Sequence, residues 1–124
     1  MSYNIFLDNQ KIGNSHLEKA DAPMGVVSGK INFTEVDLDY NYFSNYCKKN
    51  SIKTDESKED KFISTQIIPA LKVYNSKEVE IKGIGCYIEG IDSEEFEINI
   101  IGIPYPLYEE EFPQHVNEYR ESFK

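Results

Sequence analysis

Residues 78–104, EVEIKGIGCYIEGIDSEEFEINIIGIP, decide the fold. They read as a long central hairpin whose arms are residues 79–88 and 96–103. Ile, Val, Phe and Tyr dominate both arms, as a half-buried pleated surface requires. Gly90, Asp92, Ser93 and Glu94 supply turn chemistry between them. In the first arm Val79 and Ile81 share one phase, and Ile84, Cys86 and Ile88 the other. In the second arm Phe96, Ile98 and Ile100 share a face, and Ile101 and Ile103 oppose it. Side chains alternate with period two, so each arm changes phase once. The expectation is either a bulge at Gly83 and Gly85 or a region covered on both faces.

Working outward, residues 3–7 and 11–17 form an N-terminal hairpin around a turn at 8–11. Residues 18–23 are a polar connection, and residues 24–33 read as a third strand. Asp37 or Asp39 caps a helix over about 38–49, with Leu38, Tyr42, Phe43, Tyr46 and Cys47 on one face. Residues 50–61 are mixed in charge and read as an exposed loop with one short turn capped by Thr54. Strand pieces follow at 62–65 and 70–74, where Pro69 marks an edge or a kink. Pro113 opens a second helix over about 113–123, with Phe112, Val116, Tyr119 and Phe123 at i, i+4, i+7 and i+11. The expected class is α+β in one domain, residues 1–124. It has a single antiparallel sheet of about six strands and two amphipathic helices.

Charge is the feature above background. The chain carries −9 over 124 residues. Residues 89–124 hold ten acids against Arg120 and Lys124, a net −8, which leaves −1 for the other 88 residues. Nucleic acid and anionic lipid both need the opposite sign, so neither is an expected partner. No window approaches the ~18 apolar residues of a membrane span. Residues 1–4 lack the basic and apolar regions of a signal peptide, which places the expected location in the cytoplasm. Cys47 and Cys86 sit among apolar neighbours and read as small buried hydrophobes in a reducing compartment.

No catalytic or cofactor motif is present, and the expectation is a protein that is not an enzyme and holds no cofactor. Gly25 and Gly29 are four apart, but no Lys-Ser or Lys-Thr follows in P-loop fashion. Gly25-Val26-Val27-Ser28-Gly29 has the wrong spacing for a nucleophile elbow. Glu111, His115 and Glu118 fall at i, i+4 and i+7, a stripe of types that could ligate zinc or iron.

The preferred reading is a small acidic binding protein that engages a basic protein partner. Its partner-binding residues are Glu94, Glu95, Tyr105, Tyr108, Glu109, Glu110, Glu111 and Glu118. Tyrosine beside carboxylates suits an interface, and the field steers encounter. In being small, acidic and without an active-site motif, the chain is similar in general character to bacterial immunity proteins. That resemblance implies inhibition of a nuclease-like toxin by carboxylates in its basic groove. Two alternatives stand beside it: self-association, as a homodimer, and a small enzyme or metal protein using His115 with nearby carboxylates.

Overall fold

A computed structural model describes residues 2–92 and 95–123. Alternating burial drives the first strands. β1 (Tyr3–Leu7) buries Tyr3, Ile5 and Leu7 and pairs with β2 (Gln10–Ser15). Asp8 and Asn9 both take positive φ in the turn between them, a geometry that short polar side chains tolerate. Opposite β1, Ile12 is the extra residue of a bulge beside Gly13.

The stretch 18–33 departs from expectation. The polar connection contains a short strand, β3 (Lys19–Asp21), and a 3-10 turn (Ala22–Met24). The single strand expected at 24–33 is two, β4 (Val26–Lys30) and β5 (Asn32–Phe33). They lie in different sheets. Ile31, buried at the corner, donates its N–H to the Phe96 carbonyl at 2.8 Å.

Helix α1 (Tyr40–Lys49) is capped by Asp39, which accepts the Tyr42 N–H at 3.0 Å. Lys48 and Lys49 occupy its last turn, where the dipole favours cations. Its buried face is Tyr40, Phe43, Ser44 and Cys47; Tyr42 is exposed and Tyr46 only half-buried. Ser44 is inside because its hydroxyl donates to Glu56 at 2.7 Å, beside the Tyr40 hydroxyl at the same distance. The expected loop at 50–61 therefore contains β6 (Thr54–Ser57), held against β7 (Phe62–Thr65).

The two remaining sheet strands on the first-arm side are β8 (Leu71–Tyr74) and β9 (Gly85–Ile91), and β10 (Glu95–Ile101) completes the set. Every pairing is antiparallel, but the strands form two sheets rather than one. One has the order β5-β2-β1-β8 and the other β3-β4-β10-β9-β7-β6. The phase changes in 78–104 mark the passage between them. Ile81 donates its N–H to Val73 of the smaller sheet at 2.8 Å, whereas Ile84 donates to Ile101 of the larger at 2.8 Å. The hairpin is therefore shorter than expected, and neither a bulge nor two-sided cover explains the flip. In the second arm the change falls at Gly102, whose φ of +65° ends β10.

Both sheets and α1 share one hydrophobic cluster. Phe33 of β5, Phe43 of α1 and Phe96 of β10 pack ring to ring, with centroids 5.4 to 5.8 Å apart. The C-terminal helix is preceded by another, α2 (Leu107–Glu111), and itself runs Pro113–Glu121 as α3. Pro113 cannot continue the α2 ladder, so the break falls at buried Phe112.

A candidate acidic docking surface

The sequence places Tyr105 between Pro104 and Pro106; contrary to an extended GIPYP segment, the chain turns at Tyr105 and Pro106, which are joined by a cis peptide bond, and Pro106 leads into α2. Glu109 and Glu110 then sit in the first helical turn, where the dipole favours anions. Tyr105 and Tyr108 stack at 5.4 Å but differ in exposure. Tyr105 is half-exposed, with its hydroxyl donating to the Ala22 carbonyl at 3.1 Å. Tyr108, expected beside the acids at the surface, is fully buried, and its hydroxyl donates to the Val26 carbonyl at 2.9 Å. It lies one helical turn before Phe112, which draws both rings into the core. Burial, followed by the neighbouring Tyr105 and Asp21, pushes its phenol up to about 12.

The three consecutive acids have three environments. Glu109 pairs with Arg120 of α3 at 3.2 Å. Glu110 is exposed and forms no ion pair among the described residues. Glu111 is half-buried and fixed from two sides. Its Oε2 accepts from the Tyr3 hydroxyl and its Oε1 from the Asn75 amide, each at 3.0 Å. Asn75 is free to donate because its own Oδ1 already accepts the N–H groups of Lys77 and Val79, closing the turn after β8. Burial, then the Glu111 hydrogen bond and charge, push the Tyr3 phenol far above its ordinary range, so it remains a donor.

These groups border a cleft of about 530 Å³ lined by Asn75, Ser76, Lys77, Glu110, Glu111 and the start of α3. A cleft of about 470 Å³ near the end of α1 contains none of the expected binding residues. The first cleft presents one carboxylate held in a fixed orientation, one at its rim, and one lysine. It can accept hydrogen bonds from a cationic side chain.

The other expected residues lie outside the cleft. Glu118 is exposed on α3. Glu94 lies outside the described residues. Glu95 is exposed at the start of β10, next to a second acidic group on the larger sheet. There Glu97 stands opposite Glu89 on one side and Lys30 on the other, and Lys19 reaches it at 2.8 Å. From Glu95 to Ile101 the strand spans six steps, roughly 20 Å, before the chain turns toward α2. Among the described residues, Glu95 is thus set apart from the other expected residues, at the far end of β10 from the turn into α2. Tyr3, Asn75 and Lys77, which shape the cleft, were not anticipated. Asn75 had a signal in its Asn-Ser-Lys turn, whereas nothing local links Tyr3 to Glu111, 108 positions away.

The stripe Glu111, His115, Glu118 is dispersed. His115 is buried, stacks on Phe112, and has its Nε2 2.8 Å from the Leu17 carbonyl oxygen. Among the described residues no group of three or more His, Cys, Asp or Glu is placed to hold a metal. Both cysteines are buried and unpaired. No described helix is long and apolar enough to cross a membrane.

These features define a two-sheet α+β protein with an acidic helical face. No family model, curated protein or solved structure matches the chain.

Proposed function

We propose that this chain is a non-catalytic binding protein that engages a basic protein through the acidic face of α2 and α3. One observation carries the reading. Glu110 and Glu118 point to solvent without an ion pair among the described residues, while Glu111 is locked in the adjoining cleft by Tyr3 and Asn75. Carboxylates that need no reorganisation to meet a cation lose little on binding. A net −8 over residues 89–124 adds long-range steering. An immunity protein whose acids fill the substrate groove of a nuclease-like toxin is a concrete form of such a protein.

The test is a pull-down from the host lysate at low salt and at ~0.5 M, where screening acts within a few ångströms. A single basic partner that weakens at high salt is expected. It should associate more slowly, with a flatter salt dependence, with the variant Glu109→Gln, Glu110→Gln, Glu118→Gln. Glu111 stays intact in that variant because its loss would disturb the fold. An empty pull-down at both salts, or unchanged kinetics in the variant, refutes the proposal.

A further inference from the structure

The buried apolar side of α3 gives way to exposed aromatic side chains in its last turn and just beyond it. Phe112 and Val116 are buried, but Tyr119 in the last turn of α3 and Phe123, two residues past its end, are 41% and 73% exposed. An amphipathic helix face is normally apolar along the length that a neighbour covers. Here an aromatic side chain, Tyr119, stands among the polar residues where cover stops. The two rings meet edge to face with centroids 5.0 Å apart, so they form one aromatic ledge rather than two separate side chains. Aromatic side chains in such a position supply much of the energy of protein interfaces.

We infer that the Tyr119–Phe123 ledge seats an apolar side chain of the basic partner while the neighbouring carboxylates take its cations. This rests on the function proposed above and names the part of the surface that gives affinity beyond charge. The occupant follows from the charges around the ledge. Glu118 lies about 100° around the helix from Tyr119, within reach of anything lying across α3. Arg120, the one lysine or arginine of α3, is already engaged with Glu109. A second copy of the chain would bring the same acids against these and would be repelled. A segment with apolar and basic residues on one face complements both features.

Two synthetic peptides of ~18 residues, five helical turns, separate the terms. One is patterned with Leu and Lys as an amphipathic helix; the other keeps every Lys and replaces Leu by Ser. Titration against the full chain at low salt should show the Leu/Lys peptide binding at least tenfold more tightly. The double variant Tyr119→Ser, Phe123→Ser should lose that preference while its affinity for the Lys/Ser peptide stays unchanged. Both residues are exposed, so folding should survive, and the wild-type comparison stands without the variant. Equal binding of the two peptides, or a preference that persists in the variant, overturns the inference and leaves the acidic docking reading standing. Failure of both peptides to bind overturns both. A dimer in sedimentation that Phe123→Ser dissolves also overturns the inference, by assigning the ledge to a second copy.

Discussion

Replacing Glu111 by alanine should cost far more stability than replacing its neighbour Glu110. Glu111 is the acceptor for the Tyr3 hydroxyl and the Asn75 amide, and both of those residues are buried. Each buried donor left without a partner costs about 1–3 kcal/mol. Glu111 is only half-buried, so water recovers part of this, and the sum falls at about 2–4 kcal/mol. At roughly 3–5 °C per kcal/mol for a chain of this length, the melting temperature should drop by roughly 6–20 °C. Glu111→Gln keeps one carbonyl acceptor and should lose about half as much stability. Glu110→Ala removes an exposed side chain and should stay within about 0.5 kcal/mol of wild type. Urea denaturation of the three variants at pH 7 measures these differences directly. A cycle with Tyr3→Phe should show a coupling of about 1 kcal/mol or more. If Glu111→Ala is no worse than Glu110→Ala, or if the cycle is additive, the carboxylate does not hold the cleft together.

Three further outcomes follow from other sites. Burial raises the Glu56 carboxyl, but hydroxyl hydrogen bonds from Thr54, Ser44 and Tyr40, with the charge of Lys48, outweigh it and hold the group below its usual 4.5. Its contribution is therefore complete above that value and disappears as pH falls through the lower folded pKa; Glu56→Gln should flatten the acid limb of stability against pH, and an unchanged limb would count against the network. Burial, then Glu56 for Cys47 and Glu80 for Cys86, pushes the two thiols up to about 11 and about 12. A thiol reagent at pH 8 should label neither in the native protein and both in urea, so rapid native labelling would contradict their placement. Gly90 is buried beneath the Phe96 ring, with no room for a Cβ. Gly90→Ala should cost about 1–3 kcal/mol in chemical denaturation, and a neutral result would show that both the ring and the backbone of Phe96 can give way.

The parts of this fold that were legible in sequence are those set by local pattern. The alternation of Tyr3, Ile5 and Leu7, the Asp39 cap, and the Phe112–Val116 spacing each required only near neighbours. The second sheet was not legible, because a chain that passes between sheets at residues 82–84 has the same phase flip as a strand with a bulge. Thr54–Ser57 has poor strand propensity and is extended only because β7 and the α1 hydroxyls hold it. For the candidate docking surface, the sequence indicated how much charge there is but not its division. Tyr108 carried a usable signal, since it precedes Phe112 by four positions, and reading the helix stripe one turn earlier would have placed it inside. The Glu111 clamp draws on β1, the turn after β8 and α2, and no window spans all three.

The position of β10 between β4 and β9 sets when this protein can fold during synthesis. β10 is the last strand to be made, yet it is the one that joins the two halves of the larger sheet. Ribosomes add about 5–20 residues per second, so β4 waits on the order of ten seconds for its partner. During that interval Val27 and the apolar ends of the first hairpin have no finished core to enter. Holding factors at the ribosome exit would act in that window.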